Sequence, residues 1–200
     1  KKASEIIGGD AVYEAIHVKG LEPPAYDPRA LKAVALAYAV SCRGACHLRH
    51  IAHRPNLTGQ HPFKPEIKVD RLSYIGQVEI VRELEDFYAV IDSMILCKFH
   101  ALPGVGPILW SELTEIYSAV TGINVSTNYI IEVGERINNL VRLYNVREGL
   151  KIEDDSLPER IFREPLRYGA SRGEIVSKEE FVKIRSEYYS IRGWINGKPS

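Results

Sequence analysis

The chain has 200 residues, a length that suits one domain with a substantial core. Apolar residues make up 45% of it and charged residues 26%, as in ordinary globular proteins. The 26 Lys and Arg residues balance 26 Asp and Glu residues, which argues against a generic partner of nucleic acids or anionic membranes. The sequence has no apolar run of about 18 residues or more, so no membrane span is predicted.

The three cysteines favour a reducing compartment, because an odd number does not make a disulfide framework. The first residues carry no apolar stretch typical of a secretory signal, and we therefore expect a cytoplasmic protein. Cys42 and Cys46 have the spacing C-x3-C, which places both thiols on one helical face. We interpret them as buried small side chains, since a metal site needs about four ligands.

The first third of the chain predicts one buried helix between irregular segments. Residues 5–9 and 15–19 are the only short strand patterns, and the proline-rich residues 22–28 predict an extended approach. Residues 28–45 are rich in Ala and Leu, which predicts a helix buried on most sides with its end near Gly44. Residues 54–70 contain three prolines and no period, which predicts a long irregular loop.

Four later segments predict helices from their apolar spacing. Residues 75–92 repeat apolar side chains at steps of three and four. The next helix has Ser111 as its predicted N-cap and ends at Gly122, and a longer one ends near Gly149. Ser177 opens the last helix with a capping-box pattern.

We therefore predict an all-α, multihelical orthogonal array over residues 21–200. Residues 1–20 form a short extended N-terminal segment, interpreted as the end of a preceding domain or a linker. Glu135, Arg136 and Arg142 are expected to form ion pairs between helices. Tyr188, Tyr189 and Trp194 lie on the last helix and at its end. They are expected to pack in the core rather than stack on a ligand.

Asp92 and Cys97 end the amphipathic helix of residues 75–92 with an acid and a thiol. At about 100° per residue, five positions separate the two side chains by roughly 140° on a continuous helix. If the helix ends near Asp92, both side chains can face one site, which suits a hydrogen-bond donor beside a metal. The alternative is a partly exposed acid and a core thiol. The spacing by itself favours this second interpretation.

The stretch Asp-Ser-Met-Ile-Leu-Cys-Lys-Phe at residues 92–99 resembles the Asp-x-x-Gly-Leu-Cys motif of the tungsten-containing aldehyde:ferredoxin oxidoreductase family. Further blocks resemble that family in the same order and cover nearly the whole chain. They lie at residues 18–22, 24–29, 36–47, 134–140, 144–149, 154–160 and 188–194.

The resemblance implies a tungsten or molybdenum bis-pterin cofactor beside a [4Fe-4S] cluster. Members oxidise aldehydes to carboxylic acids and pass the electrons through the cluster to ferredoxin. Cys97 resembles the fourth cluster cysteine and is therefore the implied metal ligand. Asp92 resembles the acid that accepts hydrogen bonds from pterin N–H groups, a role that suits a carboxylate. Leu96 is implied to bring its backbone close to the same pterin.

His47 resembles the family histidine beside the metal, where it exchanges the proton released by aldehyde oxidation. The alternative for His47 is a satisfied core histidine at a helix end. Arg49 is a candidate contact to a pterin or its phosphate, with a solvated loop arginine as its alternative. His50, His53 and His61 do not have the spacing of a metal site, and we interpret them as loop residues.

The chain departs from the family pattern in two ways. Ile95 stands where the motif has glycine, and isoleucine disfavours a left-handed turn. Either the turn uses ordinary dihedral angles, or the pterin site is altered. The β-rich N-terminal half, with its C-x-x-C-x-x-x-C run, is also missing from this sequence.

We therefore interpret the chain as the C-terminal helical domain of such an enzyme, inactive by itself. Its expected partners are the missing N-terminal cofactor-binding half, ferredoxin and a small aldehyde, while a homodimer stays open. One alternative is a reductive relative, such as the catalytic subunit of a tungsten benzoyl-CoA reductase. Another is a helical interaction domain that kept the fold and lost the cofactors.

Overall fold

The computed structural model describes residues 1–102 and 105–200, and their regular structure is almost entirely helical. The longer helices match the segments predicted from apolar spacing, and the all-α prediction is confirmed. The described residues form α1 (Lys2–Ile7), α2 (Asp10–Glu14), α3 (Lys32–Val40), α4 (His53–Thr58), α5 (Gln77–Ser93), α6 (Trp110–Thr121), α7 (Thr127–Arg147), α8 (Glu159–Arg163) and α9 (Lys178–Ile191), with two short strands, β1 (Trp194–Ile195) and β2 (Lys198–Pro199).

The core is built around α3 and α5. Every residue of α3 is buried, because its small alanines let neighbouring elements approach on all sides. The apolar stripe of α5, which includes Leu84, Phe87 and Ile91, is fully buried. Helix α5 packs against α3, α7 and α9, so it is held from several directions. None of the helices in the described part of the chain is long and apolar enough to cross a membrane.

Gly134 allows α7 to approach α5 closely. A Cβ atom at this position would lie 2.4 Å from the carbonyl oxygen of Asp86. One turn further on, Asn138 donates a hydrogen bond of 2.7 Å to the Asp86 carboxylate. A glycine in the middle of a helix is unfavourable by itself, so the contact between the helices explains its presence.

Two buried polar clusters join distant parts of the chain. In the first, Arg192 pairs with Glu85 and Asp86, and the Tyr188 hydroxyl donates to Glu85. Burial raises the pKa of both carboxyl groups, and Arg192 opposes that shift. Since Tyr188 and Arg192 belong to the end of α9, this cluster fastens that end to the middle of α5.

The second cluster surrounds Asp155, which has no solvent exposure. Its carboxylate lies 2.7 Å from Lys19 Nζ and 2.7 Å from Arg142 Nη2, and it accepts a 2.6 Å hydrogen bond from the Tyr189 hydroxyl. Arg142 was expected to form an ion pair between helices, but its partner is Asp155, which lies in a loop. The domain boundary near residue 20 stays a prediction, but Lys19 is anchored in the interior.

The predicted N-terminal extended segment is wrong in part. Residues 5–9 were expected as a strand, yet α1 and α2 occupy most of residues 2–14. The region of residues 15–19 contributes only the isolated bridge between Val18 and Leu21. Ile6 and Ile7 favour strands by propensity, but residues 1–102 and 105–200 offer them no neighbouring strand, so local helical bonds satisfy the backbone.

The predicted helix over residues 28–45 is too long, because α3 ends at Val40. Ser41 leaves the helical region with φ −53° and ψ 140°. Gly44 does not end the helix. It has φ +89°, and a Cβ there would lie 2.1 Å from the Val18 carbonyl oxygen, so this glycine serves a close approach between two segments.

The loop predicted over residues 54–70 contains most of the short helix α4. Pro55 lies in its first turn, where a missing N–H costs little. Asn56 is buried, accepts a hydrogen bond from the Ala33 backbone and donates one to Gln77. Tertiary hydrogen bonds therefore hold a helix that the local pattern does not indicate.

The predicted helix ends are mostly confirmed. Gly122 has φ +73° after α6, Gly149 has φ +100° after α7, and the Ser177 hydroxyl accepts from the Glu180 backbone at the start of α9. The N-cap prediction for Ser111 is wrong, because the N-cap is Leu109, two residues earlier, and the Glu112 side chain accepts from the Leu109 N–H.

The hairpin of β1 and β2 was not predicted. Asn196 and Gly197 have φ +50° and +71°, the values that a tight two-residue hairpin turn requires. The Asn-Gly dipeptide was the signal that would have found it.

Candidate functional site

The candidate site lies where α5 ends. The helix stops at Ser93, between the acid and the thiol, as the sequence predicted for a shared site. The Leu96 N–H donates to the Ile91 carbonyl (3.1 Å), and the Ile95 N–H donates to the Asp92 carbonyl (3.2 Å). These two bonds form a Schellman motif, the common way to end a helix on a left-handed residue.

Ile95 is that left-handed residue, with φ +58°. Of the two alternatives for this position, a turn with ordinary dihedral angles is therefore wrong, and an altered pterin site stays a prediction. Its side chain is 91% exposed and gains almost no burial that could offset the strain. The turn is left-handed although the residue is β-branched, because the helix end and the backbone bonds around it determine its path.

Asp92 is held by two cations at this end of α5. Arg49 Nη1 lies 2.9 Å from Oδ2, and Lys98 Nζ lies 2.8 Å from Oδ1. Lys98 also donates to the Leu48 carbonyl at 2.9 Å, which ties the segment after the turn to the loop that carries Arg49. A carboxylate offers about four acceptor positions, so Asp92 can accept further donors from outside the described residues.

A hollow of about 180 Å³ opens beside Asp92, between α5, α7 and the loop after α3. Arg49 and Asp92 line it together with polar and apolar side chains from these three segments. Ser41 lines the hollow as well, and its hydroxyl is buried without a partner among the described residues. The hollow therefore combines a charged pair with a deeper polar group.

Cys97 is a free, exposed cysteine directly after the turn. It does not appear among the residues that line the hollow. In residues 1–102 and 105–200, no three His, Cys, Asp or Glu side chains are grouped so that they could hold a metal. The structure thus brings Asp92 and Arg49 together and places Cys97 in the same turn with its thiol open to solvent.

Leu96 is partly buried against the core. Its N–H is already engaged with Ile91. Any backbone contact that Leu96 makes with a ligand would therefore use its carbonyl oxygen.

His47 is half-buried in a group of rings. Its ring centroid lies 5.7 Å from that of Tyr26 and 6.0 Å from that of His53. Burial lowers the pKa of His47, which keeps its imidazole neutral near neutral pH. The Tyr26 and His53 rings stack at 3.9 Å, so His47 lies against a fixed surface.

Of the three histidines interpreted as loop residues, His50 and His61 lie outside the helices, whereas His53 is the first residue of α4. His50 is completely buried, its Nδ1 accepts from the Ala52 N–H, and burial lowers its pKa to about 3. His53 lies in α4, where burial lowers its pKa to about 4, and its Nδ1 has no partner among the described residues. His61 is also buried. The spacing of His47, His50 and His53 at steps of three was the available signal for packed rings.

Comparison with known proteins identifies the family. The family model described as aldehyde ferredoxin oxidoreductase, domains 2 and 3, matches residues 1–200. The chain belongs to this family.

Similar proteins include the tungsten-containing aldehyde ferredoxin oxidoreductases of two archaea. That of Pyrococcus horikoshii is 36% identical over 180 residues, which are 88% of this chain and 28% of the relative. That of Thermococcus kodakarensis is 34% identical over 183 residues, which are 90% of this chain and 28% of the relative. The chain therefore spans just over a quarter of the length of these relatives.

Two further proteins extend the comparison. The aliphatic sulfonate oxidoreductase, WOR-like subunit, of Pyrococcus furiosus is 29% identical, over 96% of this chain and 27% of the relative. The solved BamBC active-site complex of benzoyl coenzyme A reductase with 1,5-dienoyl-CoA has a TM-score of 0.72 at 16% identity. That match covers 99% of this chain and 33% of the solved chain, and it shows a shared fold.

Proposed function

We propose that this chain is the C-terminal helical part of a tungsten or molybdenum bis-pterin enzyme that oxidises aldehydes to carboxylic acids. The enzyme would pass the electrons through a [4Fe-4S] cluster to ferredoxin. One observation carries the proposal within this family: α5 ends in a left-handed turn at Ile95, directly between the Asp92 carboxylate and the exposed Cys97 thiol.

Asp92 is the proposed acceptor for pterin N–H groups. Its carboxylate borders the hollow of about 180 Å³ and is 30% exposed, so acceptor positions remain open beside the two cations. Arg49 and Lys98 fix the orientation of the carboxylate. Arg49 lines the same hollow and could contact the ligand directly, and the Leu96 carbonyl supplies a further acceptor from the turn.

Cys97 is the proposed ligand from this chain to the iron–sulfur cluster. Its exposed thiol is available, but one thiol does not hold a four-iron cluster, so three further cysteines must come from outside these residues. The cofactors, when bound, supply the two-electron chemistry and the path for the electrons. The proposed role of this chain is to position one pterin and one iron.

His47 is the proposed proton acceptor. Its lowered pKa means that the ring is neutral near neutral pH, so it can take up the proton that aldehyde oxidation releases. The contact with Tyr26 and His53 limits the directions in which the ring can turn. This orientation would keep one nitrogen available to the reacting molecule.

The first experiment measures metals in the full-length protein. We expect tungsten or molybdenum together with about four irons per chain. Cys97→Ser should lower the iron content, while Cys46→Ser, at a buried cysteine, should leave it unchanged. An unaltered iron content in Cys97→Ser would contradict the ligand role.

The second experiment separates chemistry from cofactor binding. His47→Ala in the full-length protein should abolish oxidation of a short aldehyde with a viologen dye as electron acceptor, while tungsten and iron are retained. Retained turnover would contradict the role of His47.

The same preparation distinguishes the alternatives. A reductive enzyme, the class to which the solved complex with the shared fold belongs, would contain the metals but fail to oxidise aldehydes. An oxidoreductase of aliphatic sulfonates, like one relative, would also contain the metals and act on an alkyl sulfonate. A helical interaction domain would contain no metal. Ferredoxin and a second copy of the protein are proposed partners of the oxidative enzyme.

A further inference from the structure

A second hollow, of about 240 Å³, lies beside α4 and is separate from the one next to Asp92. Its walls are largely apolar and come from Pro62, Phe63, Pro65 and Leu109, as well as from α4 itself. Sites for drug-sized ligands usually measure about 300–1,000 Å³, so this hollow suits a smaller molecule.

Arg54 supplies a positive charge to this hollow. The Arg54 side chain makes no hydrogen bond and no ion pair with any residue in 1–102 or 105–200, and its Nε atom is buried. Buried donors in native proteins are nearly always paired, and a guanidinium that is partly removed from water lacks the solvation that would replace a partner. Arg54 is therefore a cation in the wall of the hollow whose side chain has no partner among the described residues.

The neighbouring charged groups lie close to one another, although Glu83 Oε2 is buried without a hydrogen-bond partner among the described residues. His61 Nδ1 accepts from the Phe63 N–H, so the ring proton is on Nε2, which lies 3.5 Å from Glu83 Oε2. Burial lowers the pKa of His61, and the ring is neutral. The other oxygen of Glu83 pairs with Lys64 at 3.3 Å. Lys64 offsets the negative charge of Glu83, and Arg54 remains the cation that faces the hollow.

A planar guanidinium binds a carboxylate through two parallel hydrogen bonds, and it does so best where water is partly excluded. The apolar walls at Phe63 and Leu109 can cover a short hydrocarbon or aromatic tail. We propose that the hollow binds a small monocarboxylate with an apolar tail, its carboxylate paired with Arg54.

The inference rests on the proposed function, because that function would produce the carboxylic acid that binds in the hollow. A carboxylic acid of this kind is the product of aldehyde oxidation, and the hollow would thus define the substrates as apolar aldehydes. Helix α4 links the hollow to His47, because His53 packs beside His47 and the next residue, Arg54, lines the hollow.

The test measures hexanoate binding to the full-length protein by isothermal titration calorimetry. Arg54→Gln should raise the Kd by about ten-fold or more, because the paired charge is lost. Arg54→Lys should retain part of the affinity. Arg167→Gln is the control, since that side chain is 72% exposed, and it should leave the Kd unchanged. Hexanol should bind the wild type no more tightly than it binds Arg54→Gln.

Equal hexanoate affinity in the wild type and Arg54→Gln would overturn the proposal. So would the absence of binding to the full-length protein, which would mean that residues of the same protein outside this chain neutralise Arg54. Metal content and thermal stability are measured for each variant. Normal metals without hexanoate binding would overturn only this inference, while hexanoate binding without metals would overturn only the proposed redox function.

Discussion

Ile95, just after the end of α5, keeps a strained backbone conformation. Ile95 adopts a left-handed conformation that costs a β-branched side chain about 1–2 kcal/mol. It does so next to Asp92, whose carboxylate is fixed by Arg49 and Lys98. Strain of this kind persists where the surrounding structure determines the path of the chain, and it is common at functional sites.

Ile95→Gly should therefore stabilise the chain. Glycine adopts φ +58° without strain, and the exposed isoleucine contributes little burial, so we expect a gain of about 1 kcal/mol after the larger chain entropy of glycine is included. Urea denaturation measures the change. Ile75→Gly is the control, because Ile75 is 90% exposed but is not among the residues with positive φ, and it should not stabilise. A loss of stability in Ile95→Gly would show that Ile95 is not strained.

His50 should make stability depend on pH. Its pKa is about 3 in the folded chain and about 6.5 when unfolded, so the unfolded chain binds a proton that the folded chain does not bind between these values. Stability should fall as the pH is lowered through this window, on the order of 5 kcal/mol in total from this group. His53 and His47, which face it, and Lys98 add to the unfavourable charge.

His50→Asn tests this expectation, because the asparagine oxygen can still accept from the Ala52 N–H while its amide does not titrate. The variant should be less stable at pH 7 but should lose less of its stability between about pH 6.5 and pH 4. His100→Asn, at an exposed histidine, should retain the wild-type pH dependence. An unchanged slope in His50→Asn would rule out His50 as the source.

At the scale of elements, the pairing of α5 with α7 positions the site. The C-terminal end of α5 carries Asp92, and α7 forms the opposite wall of the hollow. The two helices meet closely at Gly134, where α7 has no side chain between it and the Asp86 carbonyl. Their spacing therefore sets the width of the hollow.

Gly134→Ala should destabilise the chain although alanine is the better helix former. The gain in helix propensity is about 1 kcal/mol, but the added Cβ would lie 2.4 Å from the Asp86 carbonyl oxygen and push the helices apart. We expect a net loss of about 1–2 kcal/mol in urea denaturation. Glu132→Ala, on an exposed position of the same helix, should change stability by less than about 0.5 kcal/mol. A stabilised Gly134→Ala would show that the close contact is absent.

At the scale of the whole molecule, Asp155 joins parts that are far apart in sequence. Lys19 comes from the N-terminal segment, Arg142 from α7 and Tyr189 from α9. Both cations are buried, and desolvation lowers the pKa of Lys19. Removing the shared carboxylate would leave two buried charges without compensation, which is more costly than losing a surface ion pair.

Asp155→Asn should lower the free energy of unfolding by about 3 kcal/mol or more. Adding Lys19→Met should recover part of the loss, because one unpaired cation is then removed. Thermal and urea denaturation measure both variants. Glu153→Gln, two residues away and exposed, should have almost no effect. If the double variant were no more stable than Asp155→Asn, the charge balance of the cluster would not be the cause.

The sequence by itself determined the all-α class, the helices with a clear period of three to four, the end of α5 between Asp92 and Cys97, and the resemblance to the family. Each of these depends on local spacing or on a contiguous motif. Tertiary structure decided which charged and aromatic groups meet, because those contacts join segments far apart in the chain. It brought Arg49 to Asp92, stacked His53 on Tyr26, held α4 through Asn56 and imposed a left-handed turn on Ile95 against its own preference. Packing outweighs local preference at these positions, because the conformational preference of one residue is worth less free energy than the packing of the surrounding helices.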